Sequence, residues 1–166
     1  MKLIGLNKLD EELLRSICSH EASHFLVADV FGLSPKVFVA GPHSGICRHS
    51  PGVAWQNGAI AWAGFIGAAL LAGEVSAASF NDWLNTTLYS PDGMDKLRQC
   101  SEPDVLAIEA EASRSRELAR IAFTILNDRY DTLKSFTFEL ADLSRERFRF
   151  NQDHPDRAEK MCLLAQ

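Results

Sequence analysis

The chain has 166 residues, 46% of them apolar and 23% charged. That is the composition of a globular domain and excludes disordered, collagenous and low-complexity proteins. Its 17 basic and 22 acidic residues sum to a net charge of −5, so no basic field exists to hold phosphates and nucleic acid is not expected as a partner.

A chain of this length buries about two-thirds of the surface it exposes when unfolded, enough for a core without staples. The four cysteines, Cys18, Cys47, Cys100 and Cys162, stand far apart with no Cys-x-x-Cys pair. They read as reduced, mostly buried thiols rather than a disulfide framework or a zinc knuckle. Met1 to Leu6 is too short and too soon charged for a secretory signal, and a cytoplasmic setting is the expectation.

Leu9 to Phe31 is predicted as a long helix. Leu13, Leu14, Ile17, Cys18, Phe25 and Ala28 recur at helical spacing, Asp10 to Glu12 suit the dipole of its first turn, and Gly32 suits the position just past its end. Ser34 to Gly41 and Gly45 to His49 read as two short strands of a small antiparallel sheet, turning at 41–44. Ser50 to Gly73 carries no charged residue. It is rich in alanine and glycine rather than leucine, is interrupted by Gln56 and Asn57, and lacks a flanking positive cluster. It is therefore read as a buried helix over Val53–Leu71 rather than a membrane span. Ala61, Gly64, Gly67 and Ala68 would let a neighbouring helix approach it closely.

A short helix over Phe80–Leu88 follows, then a Ser90–Gly93 turn and a second short helix from Met94 or Asp95. Ser101 as cap and Pro103 in the first turn predict a long helix to Asn127. A final helix over Tyr130–Phe150 carries Leu133, Phe136, Leu140, Leu143 and Phe148. The fold class is mainly α (α+β): a helical bundle with a two- to three-stranded sheet. Residues 1–150 are read as one domain and 151–166 as a polar tail.

The chemistry lies in His20-Glu21-Ala22-Ser23-His24, an HExxH sequence within the first helix. Residues four apart stand on one helical face, so the two imidazoles can hold one Zn²⁺, and Glu21 beside them can take a proton from a zinc-activated water. Zinc then needs a third protein ligand and an open position. Phe25 to Asp29 lacks the glycine and histidine of a metzincin. Glu74, Glu109 and Glu111 on later helices, His43 and His49 near the sheet, and Asp92 and Asp95 at a turn all remain candidates.

The sequence resembles the peptidase domain of the FtsH-type, membrane-anchored AAA+ zinc proteases. The resemblance rests on His20-Glu21-Ala22-Ser23-His24-Phe25-Leu26-Val27-Ala28, on the strand and hairpin after it, and on the small-residue stretch Ala63-Gly64-Phe65-Ile66-Gly67-Ala68-Ala69-Leu70. It continues through Ser90 to Leu97 and the late helical segment Ala119 to Leu133. Where the family has glycine this chain has Ser23, and where the family has an Ala-Glu pair it has Ala69-Leu70. No ATPase module or transmembrane anchor is evident, so a stand-alone relative is expected.

The resemblance implies zinc held by His20, His24 and Asp95, with Glu21 as general base, in a metallopeptidase acting on a peptide or unfolded protein. Strand residues Val37, Phe38, Val39 and Ala40, if an edge, would hold the substrate by strand addition. It leaves room for a homo-oligomer or a separate ATPase partner. The alternative is a catalytically silent zinc-binding or protein-interaction domain of the same fold.

Overall fold

The computed structural model describes residues 6–90 and 92–153, without the side chains of 148–153. Helix α1 spans Lys8–Val30. Its start is fixed by Asn7, whose side chain accepts the Asp10 N–H at 2.9 Å. At its end Gly32 adopts φ +71°, the left-handed position expected of it. One face of α1, including Leu14, Cys18, Ala22 and Leu26, is buried.

Strands β1 (Lys36–Gly41) and β2 (Ser44–Arg48) form a two-stranded antiparallel hairpin. Val37 faces Cys47 and Phe38 faces Ile46, with an irregularity between Val39 and Gly41. The hairpin lies against α1.

Helix α2 spans Ala54–Ala72. Its buried residues run unbroken from Gly58 to Gly67, as expected of a helix that is apolar all round and surrounded by protein. Helix α1 packs against one side of it, and two later helices pack on it as well. Among the described residues no helix is long and apolar enough to cross a membrane.

Helices α3 (Phe80–Tyr89) and α4 (Gly93–Cys100) are joined where the Gly93 N–H donates to the Ser90 carbonyl at 3.1 Å. Helix α4 has no buried residue.

The long helix expected over Ser101–Asn127 is two helices. Helix α5 covers Glu102–Ala110, a 3-10 turn covers Ala112–Arg114, and helix α6 covers Ser115–Asp128. Both α5 and α6 pack on α2. The buried Trp62 indole N–H then donates to Ser115 Oγ at the break, at 3.1 Å.

Helix α7 (Tyr130–Asp153) packs against α1 and β1. Leu133, Leu140 and Ala141 face inward, while Leu143, expected in the core, is exposed and Ser144 is buried instead. The bidentate pair between Arg145 and Glu11 ties α7 to the start of α1. The boundary read at 150 falls inside α7, and the tail beyond Asp153 lies outside the described residues. The buried apolar side chains form one cluster, so the mainly helical α+β class with a two-stranded sheet is the observed one.

Candidate metal centre

His20 and His24 lie one turn apart on α1, their ring centroids 4.5 Å apart and the rings nearly perpendicular. His24 is oriented from behind, since its Nδ1 lies 2.7 Å from the Ile60 carbonyl oxygen of α2. A carbonyl can only accept, so Nδ1 carries the proton and Nε2 points to the site. A backbone carbonyl thus does the orienting that metal-binding histidines require.

Helix α2 comes close enough for this because it has no side chain at Gly64. A Cβ there would lie 2.5 to 2.6 Å from ring atoms of both His20 and His24. One turn on, a Cβ at Gly67 would overlap the Ser23 hydroxyl. Ser23 is accommodated by that gap, and its Oγ donates to the Ser19 carbonyl at 2.6 Å.

The carboxylate that meets both imidazoles is Asp104, in the first turn of α5. Its Oδ2 lies 2.9 Å from His20 Nε2 and 3.2 Å from His24 Nε2. Ligand atoms of His20, His24 and Asp104 all lie within 4.8 Å of one another. A tetrahedral ion with bonds of about 2.0–2.1 Å sets its ligand atoms about 3.3 Å apart, close to the two spacings between Asp104 Oδ2 and the imidazole nitrogens. These three residues could hold a metal ion.

Asp95, expected as third ligand, is not in this group. It sits on exposed α4 and its carboxylate pairs with Arg98 at 3.2 Å. Asp92 is exposed at the same turn. Glu109 pairs with Arg98, His43 lies 3.8 Å from Asp10, His49 Nδ1 bonds the Ser50 carbonyl and Glu74 is exposed. None of these, nor Glu111, belongs to the group formed by the two histidines.

Asp104 was missed because an aspartate after a serine cap and a proline has a sufficient local explanation in the helix dipole. The available signal was its spacing. It stands four residues before the buried Ile108 and so shares the helix face turned to the core.

Charge in the site is tightly coupled. Burial and the neighbouring His24 lower the pKa of His20. Burial would lower that of His24 too, but Asp104 and Glu21 outweigh it and the net direction is upward. Burial opposes charge on Asp104 as well, yet the two imidazoles hold it far below the usual carboxylate range. Asp104 Oδ2 lies within hydrogen-bond distance of both Nε2 atoms, so a cation bound there displaces any proton held between them.

Glu21 is buried under the hairpin, where the backbone of Gly45 presses on it; a Cβ at Gly45 would lie 2.7 Å from Glu21 Cγ. Burial raises its pKa to about 7. The Asp104 charge adds to that rise, while His24 and the Cys47 backbone N–H act against it. Burial pushes the Cys18 and Cys47 thiols up to about 12, and neither belongs to the group formed by His20, His24 and Asp104. The expectation of mostly buried thiols holds for Cys18; Cys47 is half-buried, Cys100 is exposed, and Cys162 lies outside the described residues.

Beside the histidines opens a cavity of about 400 Å³, whose walls include His20, Glu21, Ser44, Gly45 and Ser101. The strand at its edge is β2, not β1. In β1, proposed from sequence to hold substrate through Val37, Phe38, Val39 and Ala40, the Val39 carbonyl accepts from Arg147 at 3.2 Å. The same guanidinium lies 4.1 Å over the Phe38 ring. Helix α7 thus covers β1 there, and only β2 borders the cavity.

No protein-family model, curated protein or solved structure matches this chain.

Proposed function

We propose that the protein is a zinc-dependent peptidase in which His20, His24 and Asp104 hold the metal and Glu21 is the general base. The observation that carries this reading is the single oxygen Asp104 Oδ2 at 2.9 and 3.2 Å from the two Nε2 atoms. Two imidazoles and a carboxylate favour zinc over the oxygen-preferring cations, and three protein ligands are the number found where a position stays open for chemistry. A zinc ion held by His20, His24 and Asp104 would supply Lewis acidity and bring the pKa of water bound to it toward about 7.

The chain's own residues do the rest. Glu21 follows His20 directly and lines the same cavity. From there it is placed to take a proton from water and return it to the leaving amine, the work of a general base. The Ile60 carbonyl fixes the His24 ring so that Nε2 faces the site. The order of elements follows the FtsH-type resemblance: HExxH helix, hairpin, small-residue helix, later carboxylate. The carboxylate, however, comes 80 residues after His24, beyond the 71 residues to Asp95 that the resemblance implies.

The test is direct. Zinc-loaded protein is expected to cleave an unfolded casein-type substrate, and Glu21→Gln to abolish cleavage while zinc stays bound in a one-to-one ratio. Full activity in that variant refutes the assignment of the base. A second reading, a zinc-binding domain without turnover, draws on one observation: Glu21 is 9% exposed beneath the hairpin, which restricts access to the base. Stoichiometric zinc with no cleavage by the wild-type protein decides for it.

A further inference from the structure

A second cavity of about 400 Å³ lies on the other side of His20, between α2, α3 and α4. Its walls include Phe65, Ala68, Ala69 and Ala72 of α2, Trp83 of α3 and Leu97 of α4. The three alanines bring little bulk to one stretch of α2, and α4, which buries none of its residues, stands off from it. The result is a hollow that is apolar along α2, Trp83 and Leu97, with the hydroxyls of Thr86, Thr87 and Ser90 on its α3 side and Ser16 at its α1 edge. Lys96 and Glu74 also border it, one charge of each sign, so they set up no net preference for a charged guest.

This hollow and the cavity containing Glu21 share Ser16, His20 and Cys100. They are two lobes of one surface, separated by the ridge that carries a proposed metal ligand. Phe65 continues that ridge into the second lobe, its ring centred 5.2 Å from that of His20.

From this continuity we infer that the hollow between α2, α3 and α4 is a specificity pocket that receives a large apolar side chain of a bound peptide, flanking the bond presented to the metal centre. The inference rests on the peptidase reading for the bond but, for the side chain, on the apolar part of the lining formed by α2, Trp83 and Leu97. A cavity of this size lies within the range of about 300–1,000 Å³ typical of ligand pockets, and burying an aromatic side chain in apolar surroundings is worth at least about tenfold in affinity over alanine.

The experiment uses the full chain as its zinc-loaded Glu21→Gln variant, so that binding is read without turnover. Two blocked octapeptides of glycine, serine and alanine are compared by calorimetry, one with a central phenylalanine and one with alanine there. The phenylalanine peptide is expected to bind at least about tenfold more tightly and to change the fluorescence of Trp83, with Trp83→Phe identifying that signal. Ala68→Trp in the same background fills the hollow and should bring the two affinities within about twofold at unchanged zinc content. Ala72→Trp, at an exposed wall position, repeats the test should the first variant fold poorly. Equal binding of the two peptides, no binding of either, or a preference that survives both filled variants overturns the inference. Wild-type protein that prefers phenylalanine but cleaves neither peptide refutes the peptidase reading and leaves the pocket standing. Cleavage without the preference does the reverse.

Discussion

At the scale of single residues, the site depends on which aspartate closes it. Asp104→Ala removes the shared oxygen and leaves two imidazoles, so zinc affinity should fall at least about a hundredfold; Asp95→Ala, which removes only an exposed partner of Arg98, should leave it within about twofold. Competition with a chromogenic chelator measures both. Equal losses would refute the assignment of Asp104.

Glu21 allows a prediction with a definite sign. In the metal-free protein its pKa is raised from 4.5 to about 7, so folding favours the protonated carboxyl. That stabilisation is complete below about 4.5 and is lost as the pH rises through about 7. Glu21→Gln keeps a neutral group throughout. It should therefore gain stability over wild type at pH 8, by up to about 3 kcal/mol, and gain none at pH 4. Urea unfolding in excess chelator reads the difference. Zinc should shrink it, because a nearby cation favours the charged carboxylate.

At the scale of elements, the contact between α1 and α2 controls the geometry. Gly64 and Gly67 let α2 approach the histidine face, and Ser23 fills the space left at Gly67. Gly67→Ala should cost about 1–3 kcal/mol through overpacking. Adding Ser23→Gly should recover most of that loss, since it removes both atoms the new methyl group would meet. A double-mutant cycle by thermal or urea unfolding measures the coupling; additive losses would mean that the two positions do not share one space.

The elements were also where periodicity read most and least well. The first helix, the hairpin and the charge-free second helix follow from local pattern, because a helix or strand needs only its own repeat to be recognised. The break between Ala110 and Ser115 does not. Nothing in Glu111 to Arg114 forbids a helix; the interruption belongs to the tertiary packing, in which α5 and α6 each lie on α2. Leu143 and Ser144 exchange inside and outside for a similar reason, since the inward face of α7 is set by α1 and β1.

At the scale of the whole molecule, a metal would join α1 to α5 across the 80 residues between His24 and Asp104. Binding only the folded state, it should raise stability with the logarithm of free zinc, by about 2.7 kcal/mol at one hundred times its dissociation constant. Thermal unfolding at buffered zinc concentrations tests this, and a midpoint insensitive to zinc and to chelator would count against a metal centre. Zinc binding should also release protons at a pH where either ring holds one on Nε2, because both Nε2 atoms must be free of hydrogen to ligate the ion.

The sequence alone determined that two histidines and a glutamate share one turn of a buried-faced helix, and that an uncharged, small-residue helix could come close to them. Those are short-range facts, set by a 3.6-residue period and by side-chain size. Which carboxylate answers the histidines, and which strand borders the cleft, only the tertiary structure decided. Each aspartate considered has a satisfactory local role as a cap or a dipole partner. What separates Asp104 from the others is that the broken helix carrying it packs on α2 and so delivers one carboxylate oxygen to a point within reach of both rings.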